Sequence, residues 1–222
     1  DNETPEAITA WICSHLGIPF GSAAATGIPV YMPWLGKKAY DGIMAAYTAA
    51  SRKNGKKYIP LIKNATQLHV IEKGALCGAV LDGSYNLTEA NYKTSLQNLV
   101  DRVLITDKDG NQIGVVEDTA AQQKYGVVQT VYKQEDGKDA QTEAKALLQT
   151  LEQTGSVTGC PGDSRAVSGY ALIVQETTTG LFGKFYIESD THTFTDGKHE
   201  MALTLAFSNM MDEKEIENQS QG

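Results

Sequence analysis

Two stretches carry side chains that could act together on an acyl group. "GDSRAVSG", residues 162–169, offers Ser164 as a nucleophile, and "DGKH", residues 196–199, offers His199 as its base with Asp196 to orient the imidazole. That set would perform ester hydrolysis through an acyl-serine. The order of the blocks suits the chemistry, but their spacing does not. Such a serine follows the first strand of an α/β sheet and its histidine closes the domain much later. Here both blocks fall within one short stretch of antiparallel β pattern with no parallel βαβ unit between them. Gly-Asp-Ser is also ordinary turn chemistry, in which Asp and Ser bond their own backbone.

A second constellation is "SDTHTFTDGKHE", where Asp190, His192, Asp196, His199 and Glu200 bring together imidazoles and carboxylates of the kind that hold zinc or manganese. The "TDG" turn, however, places His192 and His199 on facing strands, where polar cross-strand pairs are routine. A hairpin with a polar rim accounts for the pattern. In "DRVLITDKDGNQIGVVED", Asp107, Asp109 and Asn111 have the one-three-five spacing of a calcium loop. Gln112 and Asp118 stand where such a loop needs its Gly and its bidentate Glu. The apolar runs on both sides are strands, and Asp109-Gly110 between them is a hairpin signal. No catalytic residue, metal ligand or cofactor site is assigned from these motifs. No phosphate-binding glycine loop is present, since "TTTGLFGKF" is a hairpin turn.

The elements that position these residues follow from periodicity. Helix one is capped by Thr4, carries Pro5 in its first turn, and stops at Gly17 and Pro19. Its expected apolar face is Ile8, Trp11, Ile12 and Leu16. Helix two covers roughly residues 38–53, with Ile43, Ala46, Tyr47 and Ala50 on one side and Asn54-Gly55 closing it. A hairpin follows, turning at Asn64-Ala65-Thr66, with His69 in its second strand as a packing or surface residue. Short strands then dominate, interrupted by an expected helix over residues 139–155 with Ala144, Leu147, Leu148 and Leu151 in one stripe and Gly155 as its stop. The last strand alternates Met201, Leu203, Leu205 and Phe207 on its core face. The tail from residue 210 is polar and acidic and reads as a connector or frayed end.

At 222 residues the chain is long enough for one large core or two to three small ones. A net charge of -8 disfavours nucleic acid and anionic lipid, and the one basic cluster, "SRKNGKK", sits where cations complement a helix C-terminus. No apolar run reaches the length of a membrane helix. Cys13, Cys77 and Cys160 are too scattered for a disulfide framework or a zinc site and read as reduced, part-buried thiols. The chain opens on Asp1 with no leader pattern, which points to an excised piece of a longer protein. From the residues alone it is a soluble α+β protein with a β-rich second half.

The blocks "NGKKYIPL", "NLVDRVLITDKDGNQIGVVED", "KYGVVQTVYKQEDG", "GDSRAVSGYALIVQETTTGLFGKFYIESDTHTF" and "DGKHEMALTLAFSNMMDEKE" together resemble the XkdQ/YqbQ-type phage tail proteins. The resemblance runs through nearly the whole chain in order. It implies a structural baseplate hub of a contractile tail, in a phage, prophage or phage-tail-like bacteriocin, that links tail tube to central spike. It also implies a trimer of subunits with two tube-type β-barrels each, the first of which would be missing here. Partners would be tube and initiator proteins, the spike and other baseplate proteins, with no sequence-specific nucleic acid and no membrane. The site of action would be the virion tail, assembled in the bacterial cytoplasm. The fold expected on this basis is α+β. A small domain with two helices and a hairpin covers residues 1–78, and a second tube-type barrel covers 79–134 plus 185–209. A helix-bearing insert spans 135–184, and a polar tail covers 210–222. Barrel closure would pair "VLIT" with "MALTL". The alternative is a tail-associated esterase using Ser164, Asp196 and His199.

Overall fold

The computed structural model describes residues 2–32 and 38–215. The chain is α+β, with mostly β structure and four helices among the described residues. It divides into two compact units, Asp1–Asn91 with Gly155–Gly222, and Tyr92–Thr154.

The first unit begins with β1 (Asn2–Glu3), α1 (Pro5–Leu16), β2 (Phe20–Ala23), β3 (Val30–Tyr31), α2 (Ala39–Asn54), β4 (Tyr58–Lys63) and β5 (Gln67–Glu72). The caps of α1 are those its sequence specifies. The Thr4 hydroxyl accepts from the Ala7 amide, and Gly17 takes the left-handed conformation that ends the helix. Gly55 closes α2 in the same way. β4 and β5 form the expected hairpin, with Asn64 and Ala65 both at positive φ in its turn. The core here is Ile12, Ile43, Tyr47, Tyr58 and Val70. The Tyr47 and Tyr58 rings lie 4.7 Å apart, and the Tyr47 hydroxyl donates to the carbonyl of Ala24 at 2.9 Å.

Two expectations for this region are corrected. The buried stripe of α1 is Pro5, Thr9, Ile12 and Cys13, whereas Trp11 and Leu16 are about half exposed. One helix packed mainly against α2 and β2 buries a narrower stripe than the apolar residues of its sequence offer. The hairpin also gains a third strand, because β2 pairs parallel with β5. After Phe20, the glycine at 21 and the short side chains of Ser22 and Ala23 give no alternation strong enough to announce a strand.

A six-stranded sheet has most of its residues in the same unit, while two of its strands, at residues 89–95 and 152–161, run past the unit's bounds at Asn91 and Gly155. β6 (Leu76–Asp82) and β7 (Glu89–Ser95) are its end strands, and the order is β6-β12-β13-β14-β11-β7. Unit two supplies β8 (Arg102–Thr106), β9 (Gln112–Glu117), α3 (Thr119–Tyr125), β10 (Gln129–Lys133) and α4 (Ala140–Ala146). The chain then continues through β11 (Glu152–Pro161), β12 (Ala171–Glu176), β13 (Leu181–Thr195) and β14 (Lys198–Ala206). One sheet face carries Leu81, Leu172, Val174, Leu181, Ile187, Leu203 and Leu205, all buried. The alternation expected for the last strand is present at Met201, Leu203 and Leu205.

In unit two, β8 pairs antiparallel with β9 and parallel with β10, and α4 covers one face through Ala144 against Val103 and Ile105. The expected pairing of "VLIT" with "MALTL" does not occur, since β8 lies between β9 and β10 and β14 pairs with β13. The tight Asp109-Gly110 hairpin ties β8 to its sequence neighbour at small entropic cost. β10 then takes its other edge. β12 and β13 form one antiparallel hairpin that runs across residue 185.

The helix expected over residues 139–155 is only α4. Its C-cap is Leu147, and Gln149 bridges to Val100 in an antiparallel contact. Gly155 is therefore a strand residue in β11 and not a helix stop. A β-carbon there would stand 3.1 Å from Leu181 Cδ2 and 3.3 Å from Leu205 Cβ, so the missing side chain lets the strand lie close on the core. The tail is corrected as well: Asp212, Lys214 and Glu215 bond to residues of α2, and the remainder of the expected tail from residue 216 falls outside the described residues.

Gly155→Val is expected to cost about 1–3 kcal/mol through overpacking against Leu181 and Leu205, read as a lower urea midpoint. An unchanged midpoint would refute the close approach. A second expectation concerns the β12–β13 turn, where the Glu176 carboxylate accepts from the Thr178 and Thr179 amides and the Thr179 hydroxyl. These donors, the hydroxyl first, hold its pKa down at about 2 against an ordinary 4.5. A depressed carboxylate contributes stability above its unfolded value and loses it as pH falls toward the folded one. Between about pH 5 and 2, Glu176→Gln should thus show a shallower acid loss than the parent; parallel curves would contradict the assignment.

Candidate functional site

The candidate residues gather at the far end of the β13–β14 hairpin. The hairpin turns at Asp196-Gly197, both at positive φ, which suits a two-residue turn joining right-twisted strands. Thr195 pairs with Lys198, Phe194 with His199, and His192 with Met201. A β-bulge between Ile187 and Ser189 changes the parity of β13. Ile187 faces the core before the bulge; after it Asp190, His192 and Phe194 share that face with His199, Met201 and Leu203.

His192 is the centre of a polar network. Its Nδ1 lies 2.8 Å from His199 Nε2, and its Nε2 lies 3.2 Å from the Ala166 carbonyl. A carbonyl only accepts, so His192 Nε2 is the donor to Ala166, and in the neutral ring its Nδ1 accepts from His199 Nε2–H. Asp190 Oδ2 lies 3.6 Å from His192 Nε2, while Asp190 Oδ1 accepts from the Ser168 amide at 2.6 Å. The Ser168 hydroxyl donates to the Glu188 carbonyl at 2.8 Å. The Gly162 amide donates to the His199 carbonyl at 2.7 Å, and a β-carbon on Gly162 would fall 2.1 Å from the His199 ring. Phe194 stacks on the other side of that ring at 4.1 Å. These bonds clip residues 162–168 onto the hairpin.

The acyl-transfer set is not assembled. Ser164 sits on an exposed turn and Asp196 at the hairpin tip, and among the described residues no hydrogen bond joins Ser164 to His199 or His199 to Asp196. His199 Nε2 is bonded to His192. Asp163, beside Ser164, is held below its usual range chiefly by the Arg165 guanidinium, with which it makes a two-pronged pair. Of the five metal candidates, Asp190, His192 and His199 come together, but Asp196 and Glu200 lie apart from them. Among the described residues no three His, Cys, Asp or Glu side chains form a metal-holding group.

The "DKDGNQ" segment is the expected hairpin loop. Asp107 Oδ1 accepts from the amides of Asp109 and Asn111, and its Oδ2 from the Asn111 side-chain amide at 2.9 Å. These donors hold Asp107 below its usual range. The carboxylate is thus engaged by donors of its own loop, the reverse of a cation's coordination. His69 packs in β5 with its Nδ1 2.9 Å from the Ser22 hydroxyl, above Gly21, where a β-carbon would fall 2.1 Å from the ring. Cys13 and Cys160 are buried and free, and burial pushes the Cys160 thiol up to about 11, which leaves it protonated and inert at neutral pH. Sequence reasoning missed the docked tail, for which the signal was opposite charge between "SRKNGKK" and "MMDEKE".

The whole arrangement is a set of structural locks on a β-rich scaffold, and the architecture is one seen in phage tail proteins. The prophage MuSo2 43 kDa tail protein from Shewanella oneidensis superposes with a TM-score of 0.62 at 13% identity, over 92% of this chain and 64% of that one. The tail protein from Neisseria meningitidis MC58 superposes with a TM-score of 0.53 at 12% identity, over 92% and 67%. At the sequence level, residues 1–206 match the YqbQ-like family model, and the chain belongs to that family. It is thus of the XkdQ/YqbQ type of phage tail protein. It is 25% identical to the phage-like element PBSX protein XkdQ of Bacillus subtilis (strain 168), over 96% of this chain and 68% of that protein. The chain spans about two thirds of the length of these relatives.

Gly162→Ala is expected to displace the His199 ring and cost about 1–3 kcal/mol, measured by urea unfolding. Ser164→Ala, on an exposed turn, should stay within about 0.5 kcal/mol of the parent. Equal effects of the two substitutions would show that the packing of His199 on Gly162 contributes nothing.

Proposed function

We propose that this chain is a non-enzymatic structural component of a phage tail or tail-like particle, and within it part of the baseplate hub that links tail tube to central spike. The observation that carries this reading is the family match across nearly the whole chain, joined to a fold similar to tail proteins of known structure. The geometry adds support, since the side chains best suited to chemistry are engaged in holding a loop to a hairpin.

In this reading the six-stranded sheet corresponds to the second tube-type barrel, with the segment from β8 to α4, between β7 and β11, as an insertion. The α1–α2 layer with β4 and β5 is the small domain preceding it. Three copies surround the tail axis and contact tube, initiator and spike proteins through strand edges and loops. The contractile particle, phage or bacteriocin, assembles in the bacterial cytoplasm and carries the protein in its baseplate. No observation favours the esterase alternative, because Ser164 and His199 are not joined.

Light scattering over a wide concentration range is expected to give a solution mass of three chains. A single-chain mass at every concentration would remove the trimer from these residues. Generic ester hydrolysis that disappears in Ser164→Ala would overturn the structural reading itself.

A further inference from the structure

The one basic cluster of the chain and its acidic tail are far apart in sequence, and the fold brings them together. After β14 the chain crosses to α2. Asn209 donates to the Lys73 carbonyl at 2.8 Å, and Lys73 Nζ donates to the Met210 carbonyl at 2.6 Å. Met211 then packs on the core of Ile12, Ile43 and Tyr47. From there each residue meets a partner on or beside α2. Asp212 accepts from the Tyr40 hydroxyl at 2.9 Å, and Glu213 pairs with Lys57 at 3.2 Å and Arg52 at 3.6 Å. The Lys214 amide donates to the Thr48 hydroxyl at 3.1 Å, and Glu215 pairs with Arg52 at 2.6 Å.

This is the pattern of an extended peptide read by a receptor surface: one apolar anchor, one backbone hydrogen bond and three carboxylates against two cations and a phenol, with the segment's own Lys214 also pairing with Asp212 at 3.1 Å. The charges perturb one another in the expected directions. Arg52 is raised, mainly by its bond to Glu215. Tyr40 is pushed up to about 12, by burial first and then by Asp212. Yet the ion pairs are solvent-exposed, with Arg52 and Glu215 side chains at 54% and 71% exposure. Exposed pairs hold weakly and are screened by salt. The ion pairs of the cover therefore add little to its hold, and beneath it lies a surface complementary in charge to an acidic segment.

We propose that the Tyr40, Thr48 and Arg52 face of α2, together with Lys57 just beyond its end, is a docking site for an extended acidic segment of a partner protein, covered in this chain by its own residues 211–215. The chain's own segment displays the ligand: an apolar residue followed by carboxylates at the first, second and fourth positions after it. Charge sets the class of partner, because the surface offers two cations within an otherwise acidic molecule. This inference does not depend on the hub assignment.

The test uses the full chain and the peptide SNMMDEKE, which repeats residues 208–215. Asp212→Asn, Glu213→Gln and Glu215→Gln are combined to weaken the internal segment, and peptide binding is followed by nuclear magnetic resonance at Thr48 and its neighbours. The neutralised variant should bind the peptide at least about tenfold more tightly than the parent, whose tethered segment competes at high effective concentration. Adding Arg52→Glu should abolish binding while circular dichroism stays unchanged, and raised salt should weaken it. The proposal is overturned if the folded neutralised variant does not bind, if it binds no better than the parent, or if binding survives Arg52→Glu.

Discussion

The bulge between Ile187 and Ser189 is the constraint on which the six-stranded sheet and its polar end depend. A strand presents alternate residues to one face, so a single extra residue transfers every later side chain to the opposite face. Before the bulge, β13 buries Leu181, Phe185 and Ile187; after it, Asp190 and His192 continue that same face. Without it, Ser189 and Thr191 would face inward and the imidazole of His192 would point away from His199. The two-residue turn at Asp196-Gly197 fixes the rest of the register, so one bulge and one turn together set where Met201, Leu203 and Leu205 fall. The polar end of the core is then sealed by residues 162–168, which satisfy both His192 and Asp190.

Close backbone approach recurs as the way this chain accommodates its larger side chains. Gly21 lies under the ring of His69, Gly162 under His199, and Gly155 against Leu181 and Leu205. In each case the glycine serves the neighbour's volume and not a turn of its own. That is why Gly155 and Gly162 read as punctuation in the sequence and behave as packing sites in the fold. Dense interiors leave little room for relief, so one added methyl group at such a site shifts a ring or a leucine.

The helical layer and the sheet of the first unit are held by two kinds of contact. Apolar burial around Tyr47 and Tyr58 supplies the stable part. The strap over α2 adds exposed ion pairs, individually weak, on top of one half-buried methionine contact. This division of labour suits a component that must fold before it assembles: the core stands by itself, while the charged cover can yield to a competing acidic segment.

Much of this was legible in sequence. The caps of α1, the glycine ending α2, the Asn64-Ala65-Thr66 turn, the Asp109-Gly110 hairpin and the alternation through Met201, Leu203 and Leu205 rest on local conformational preferences, which act within a few residues. The family was also legible, from blocks distributed in order along the chain. What sequence could not supply depends on partners distant in the chain. The leucines at 147, 148 and 151 fit a helical stripe, but pairing of Gln149 with Val100 and the start of β11 ended that helix after Ala146. β2 exists only because β5 offers it an edge. Ser164, Asp196 and His199 looked like a reacting set because their types and order were right, yet the bulge and the loop clip turned His199 toward His192. The acidic tail read as frayed because it lacks periodicity, and only the tertiary structure could set its charges on Arg52 and Lys57. Local preference determines elements, whereas register, bulges and long-range charge pairing decide which side chains meet.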